Sequence, residues 1–130
     1  MARVTVVNDN PEFLELVRDI LEDDRYETTT IDGDRPGSLD AIRASRPDLL
    51  MIDLRMGSEG MHGWEIAQQV RAEPDFDGLP VLICSADAPA LEELETDLEA
   101  DQHVASLIKP FSIDDLTGAI DSLLAEAAPR

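Results

Sequence analysis

Four side chains with chemical potential stand at the ends of short apolar runs. Asp9 follows Val6-Val7-Asn8, Asp53 follows Leu49-Leu50-Met51-Ile52, Ser85 follows Val81-Leu82-Ile83-Cys84, and Lys109 follows Leu107-Ile108. Lys109 is the sole lysine against nine arginines, which suggests a position that wants a compact ammonium rather than a broad planar guanidinium. Asp9 and Asp53, once brought together, would repel, and burial makes ionising both harder. A divalent cation removes that conflict. Mg²⁺ (or Mn²⁺) suits one or two carboxylates supplemented by waters. Asn8 would contribute weakly or through water, and the backbone carbonyl of Arg55 would complete the shell. With the metal bound, Asp53 has the chemistry of a nucleophile toward a phosphoryl group, giving an aspartyl phosphate. Charge gathering on the phosphoryl oxygens would meet the ammonium of Lys109 and the hydroxyl of Ser85. Plainer readings exist for each residue alone, Asp53 as a turn or cap acid and Ser85 as a helix cap. An acid directly after four apolar residues is badly placed for capping, and Ser85 gains meaning only beside the other three.

These residues meet only if their apolar runs lie side by side. Residues 3–7 predict a first strand, and Asn10-Pro11 supplies an N-cap and a proline at the first helical position. Phe13, Val17, Ile20 and Leu21 then recur at helical spacing to about Asp24. Residues 26–31 include Thr28, Thr29 and Thr30 and read as a β-branched strand at an edge. Leu39 and Ile42 mark a short helix that stops before Pro47, and residues 49–52 form a fully apolar strand. Gly57, Gly60 and Gly63 mark a loop, and Trp64, Ala67 and Val70 open a third helix. Residues 79–84 predict strand four; Leu91, Leu94 and Leu98 space a fourth helix; residues 104–108 predict strand five. Ser112 with Asp115 gives a capping signal for a last helix through Ile113, Leu116, Ile120, Leu123 and Leu124. Regular alternation of this kind predicts an α/β fold, a parallel sheet covered by helices on both faces. Ligands in such sheets bind beyond the carboxyl ends of the strands, where Asp9, Asp53, Ser85 and Lys109 all fall.

A length of 130 residues predicts one domain, 1–130, with a real hydrophobic core. No run approaches the roughly 18 apolar residues of a membrane span. The N-terminus passes straight into a strand, leaving no room for a signal peptide, so a cytoplasmic protein is expected. Cys84 has no internal disulfide partner and reads as a small core residue. His62 and His103 are isolated and expected at the surface, offering no alternative metal site. The formal charge of −19 argues against nucleic acid and anionic lipid as partners and favours divalent cations and basic protein surfaces. Most of that acidity also serves as a solvated face.

In order and at matching intervals, a set of motifs resembles the receiver domain of bacterial response regulators in two-component signalling. They are Val6-Val7-Asn8-Asp9-Asn10-Pro11, Pro47-Asp48-Leu49-Leu50-Met51-Ile52-Asp53-Leu54, Gly63-Trp64-Glu65, Ile83-Cys84-Ser85-Ala86 and Lys109-Pro110-Phe111. The resemblance covers nearly the whole chain. It implies a flavodoxin-like, doubly wound (βα)5 fold with five parallel strands in the order 2-1-3-4-5. It also implies that Asp53 is the phosphoacceptor, Asp9 the main acidic metal partner, Ser85 the switch hydroxyl and Lys109 the phosphoryl-binding ammonium. The Lys109-Pro110 bond is expected to be cis. The expected activity is that of a stand-alone receiver taking a phosphoryl group from a histidine kinase or phosphotransfer protein. It is a phosphoacceptor with self-catalysed transfer and autodephosphorylation rather than an enzyme. Output would pass to an unidentified protein through the face of the fourth helix, fifth strand and last helix, which also offers a homodimer surface.

Three departures bear on that expectation. Asn8-Asp9 replaces the usual pair of acids, which should weaken Mg²⁺ binding while easing repulsion around Asp53. The loop from Met56 to Gly63 is lengthened, and Ser106 stands where an aromatic switch residue is usual. These departures support an alternative, a receiver-like adaptor that binds partners without phosphorylation. A flavin-binding protein of similar architecture fits poorly, because Asn8-Asp9-Asn10-Pro11-Glu12 is acidic where a phosphate would be cradled. An aspartate-nucleophile phosphatase would need a second Asp where Arg55 stands.

Overall fold

Strand β1, Arg3–Asn8, is buried over five consecutive residues, so both of its faces are covered. The computed structural model describes residues 2–33, 37–54, 62–94 and 103–127. Along it follow α1 (Pro11–Asp23), β2 (Glu27–Asp32), α2 (Ser38–Ser45), β3 (Leu49–Asp53), α3 (His62–Ala72), β4 (Val81–Ser85), α4 (Ala88–Glu93), β5 (Val104–Ile108) and α5 (Ile113–Ala127). The five strands are parallel and ordered β2-β1-β3-β4-β5. The α/β class and the strand order expected of the chain are therefore observed.

Alternate residues of the central strands feed two separate cores. Val7, Leu50, Ile52, Val81 and Ile83 pack with Ile42, Trp64, Ala67, Val70 and Leu91, from α2, α3 and α4. Val4, Val6, Leu49, Met51, Leu82 and Cys84 pack with Leu14, Val17, Leu21, Leu116, Ile120 and Leu123, from α1 and α5. This period of two determines what each strand presents at its carboxyl end, since a slip of one residue would exchange the faces. Asn8, Asp53 and Lys109 continue the parity of Val6, Met51 and Leu107, and so belong to the α1/α5 side.

Local signals explain both helix starts on that side. Asn10 Oδ1 accepts from the backbone N–H groups of Glu12 (3.0 Å) and Phe13 (3.3 Å), with Pro11 at the first helical position. Ser112 and Asp115 bond reciprocally at 3.0 and 3.2 Å, a capping box.

Three features differ from expectation. Strand β4 starts at Val81, not residue 79, because Pro80 has no N–H to give the ladder; its carbonyl still accepts from Leu50 at 3.0 Å. A 3-10 helix, Pro74–Phe76, was not foreseen; it sinks Phe76 into the core while Arg43 lies 5.7 Å over its ring. His103 is half-buried rather than at the surface. Leu98, Gly57 and Gly60 lie outside the described residues, as does the side chain of His62. Among the described residues no helix is long and apolar enough to cross a membrane.

Candidate functional site

Strands β1 and β3 are neighbours in the register Val7↔Ile52, so Asn8 and Asp53 leave the sheet side by side. Asn8 is buried and works as a bridge. Its Oδ1 accepts from the N–H of Asn10 at 2.9 Å, and its Nδ2 donates to Oδ2 of Asp53 at 3.0 Å. The turn into α1 uses its amide oxygen, which leaves the amide NH₂ to face the carboxylate.

Lys109 arrives from the far side. Its backbone N–H donates to the carbonyl of Ser85 at 2.9 Å, extending the β4–β5 pairing by one step. Its Nζ reaches the same Oδ2 of Asp53 at 2.5 Å, with the two side chains only 23% and 12% exposed. Half-buried, charge-assisted pairs of this kind are stronger than surface ones, which contribute little. The Lys109-Pro110 bond is cis, as the resemblance implied. Lys109 Nζ also lies 4.1 Å from the centre of the Phe13 ring.

Asp53, Ser85, Ala86, Asp87 and Lys109 line a pocket of about 360 Å³ at this rim. Ser85 is buried, and its Oγ accepts from the N–H of Asp87 at 3.0 Å. Its hydroxyl proton can therefore be donated into the pocket. Asp87 in turn caps α4 through Ala90 N–H at 3.0 Å. Asp9, one residue beyond β1, is exposed.

Cys84 pairs in register with Asp53, directly behind the site. Burial pushes its thiol up to about 12, with Lys109 opposing and Asp53 reinforcing that rise. It stays a neutral core residue through the physiological range and supplies neither nucleophile nor metal ligand.

Two contacts were invisible as function in the sequence. Gly63 reads there as a loop glycine within the Gly63-Trp64-Glu65 motif, with no sign of what it touches. In the fold its N–H donates to the Leu54 carbonyl at 3.0 Å, and a Cβ on it would run into the backbone carbonyl of Asp53. The start of α3 thus lies directly against the end of β3. Phe13 reads as one apolar helical residue among several, and nothing local ties it to Lys109.

The carboxylates of Asp53 and of Asp9, which follows β1, are hard oxygen donors of the kind that suit a cation retaining several waters, as Mg²⁺ does. No group of three or more His, Cys, Asp or Glu that could hold a metal ion gathers among the described residues. The expected carbonyl ligand, Arg55, lies outside the described residues.

The profile of the response regulator receiver domain matches residues 4–121. The chain belongs to that family. This receiver is 30% identical to the DNA-binding response regulator MtrA of Mycolicibacterium smegmatis over 123 residues, 94% of this chain and 50% of MtrA. It is 31% identical to the sensor histidine kinase TmoS of Ectopseudomonas mendocina over 123 residues, 95% of this chain and 12% of that kinase. The receiver therefore spans about half or less of the length of these curated relatives. Among solved structures it resembles the chemotaxis protein CheY4 of Vibrio cholerae, with a TM-score of 0.79 and 26% identity over 95% of this chain and 98% of that one. It also resembles the response regulator TrrA of Thermotoga maritima, solved in complex with Mg²⁺-BeF, with a TM-score of 0.74 and 25% identity over 95% and 99% of the two chains. Family and fold together assign the chain to two-component signalling.

Proposed function

We propose that this receiver accepts a phosphoryl group on Asp53 and converts the modification into altered protein contacts. One observation carries the reading: Oδ2 of Asp53 is held by Lys109 Nζ and Asn8 Nδ2 at the wall of a pocket that Ser85 shares. A phosphoacceptor needs its carboxylate aimed outward, and it needs donors where charge develops on the phosphoryl oxygens.

A carboxylate oxygen of Asp53 forms the new O–P bond as the donor's P–N bond breaks. The electron pair leaves with the donor nitrogen, which takes up a proton from solvent. Lys109 shifts from the carboxylate to a phosphoryl oxygen, keeping its positive charge throughout. Ser85 donates its hydroxyl proton to another. That exchange loads the link from Ser85 through Asp87 to the first turn of α4. Asp9 and Asp53 would hold Mg²⁺ (or Mn²⁺), with Arg55 the expected backbone ligand. When bound, the metal supplies positive charge that neutralises the incoming phosphoryl oxygens.

The phosphoryl donor is a sensor histidine kinase or phosphotransfer protein, a reading supported by the kinase among the relatives. The output face runs over α4, β5 and α5, where Ile108 and Ile113 are 47% and 59% exposed. It serves an output protein or a second copy of this receiver. The charge of −19 weighs against direct contact with nucleic acid or an anionic membrane. Its chemistry is self-modification and its reversal, not turnover of a substrate.

Incubation with acetyl phosphate and Mg²⁺, read by intact mass, tests the reading. One phosphoryl group should add, and it should be lost with a chelator or in Asp53→Asn. The adaptor reading is favoured by Asn8 in place of an acid and by exposed Ser106 on β5. It gains ground if neither acetyl phosphate nor beryllofluoride modifies the protein.

A further inference from the structure

We propose that Phe13 is a positioning residue for Lys109, a π-faced shelf that keeps the ammonium at the mouth of the site yet free to move onto the phosphoryl group. The inference rests on the phosphoacceptor reading and deepens it.

Lys109 is gripped from two sides. Oδ2 of Asp53 lies 2.5 Å from Nζ, and the centre of the Phe13 ring lies 4.1 Å away, within the range of cation–π attraction. The ring is itself fixed. Phe13 and Phe111 stack edge-to-face, centroids 6.3 Å apart at 79°, and both pack half-buried on the α1/α5 core. The backbone of Phe13 belongs to the same turn that aims Asn8. Asn8 Oδ1 accepts from Asn10 N–H, and Asn10 Oδ1 accepts from Phe13 N–H. One short segment, residues 8–13, therefore directs a donor at Asp53 and an aromatic face at the cation bound to it.

The chemistry of the shelf matters. A second carboxylate beside Lys109 would hold the ammonium by directional, charge-assisted hydrogen bonds and compete with phosphoryl oxygens for it. A leucine would fill similar space but exert no pull on a cation. A π face attracts the cation without taking up any of its three N–H donors in a strong hydrogen bond. The ammonium stays localised before transfer and can slide to new acceptors during it. Lysine suits such a shelf because its charge is compact.

Because Lys109 is the sole lysine, lysine-selective ¹³C labelling reports one side chain. In the wild-type protein the Lys109 ε-methylene protons should resonate upfield of free lysine, shifted by the ring current of Phe13. Phe13→Leu should return them toward the free position and lower the second-order rate of phosphorylation by acetyl phosphate about 3- to 30-fold. Phe13→Tyr keeps the π face and should restore both the shift and most of the rate. Thermal melts establish that both variants are folded. If Phe13→Leu, folded and phosphorylated, matches the wild-type rate, the positioning role is overturned. The same follows if the leucine and tyrosine variants slow equally, since only packing is then at stake. A wild-type protein that takes up no phosphoryl group overturns the proposed function itself, and with it the role of Phe13.

Discussion

Nδ2 of Asn8 donates to Oδ2 of Asp53 at 3.0 Å, across the switch point between β1 and β3. A carboxylate at position 8 would repel Asp53 there, whereas the amide stabilises it. Asn8 and Lys109 thus both donate to the half-buried carboxylate of Asp53.

Asn8→Asp should therefore trade metal-free stability for metal affinity. The substitution removes a buried hydrogen bond and adds a like charge, costing about 1–3 kcal/mol in chelator by urea titration. Mg²⁺ affinity should rise several-fold in the same variant. Titration calorimetry against wild type checks this, and equal affinities would show that position 8 lies outside the metal's reach.

Lys109→Gln removes the cation that faces Asp53. The rate of phosphorylation should fall about 100-fold or more, the usual effect of losing a donor from a developing anion. Intact-mass kinetics with acetyl phosphate measures it. A wild-type rate would place the stabilising charge elsewhere.

Gly63→Ala puts a methyl group against the Asp53 carbonyl. Backbone cannot yield as a flexible side chain does, so a loss of about 1–3 kcal/mol is expected. The phosphorylation rate should drop as well, because the displaced carbonyl belongs to Asp53, the proposed acceptor. Denaturant melts and mass kinetics on one sample read both.

Cys84 links stability to alkaline pH. Burial pushes its folded pKa up to about 12, above the ordinary thiol range, so the folded state holds the thiol proton that the unfolded chain releases. This contribution is fully present below pH 9 and disappears as pH rises toward 12, amounting to a few kcal/mol, on the order expected for such a shift. Cys84→Ala should be less stable at neutral pH through lost packing, yet flatter between pH 9 and 11. Parallel slopes for the two proteins would contradict the assignment.

Much of the fold was legible because its signals are local. Apolar runs with period two specify strands, and helical spacing specifies α1 and α5. The Asn10-Pro11 and Ser112–Asp115 pairs mark helix starts from side chains a few residues from the groups they satisfy. The start of β4 is not legible in the sequence because Leu79 and Pro80 are both apolar, while pairing depends on an N–H that proline lacks. The 3-10 helix is not legible there either, because three residues carry too little periodicity.

The chemical identity of the rim was likewise present in residue types alone: an acid, a hydroxyl and a lone lysine, each closing an apolar run. How those groups meet was decided only by the tertiary structure. Which way Asn8 turns its amide depends on the Asn10 N–H and on β3 lying beside β1. The contact of Phe13 with Lys109 requires α1 and the end of β5 to share one face of the sheet. The demand for glycine at 63 comes from a backbone carbonyl on another strand end. Sequence order records none of these distances, because each arises where segments remote along the chain are packed together.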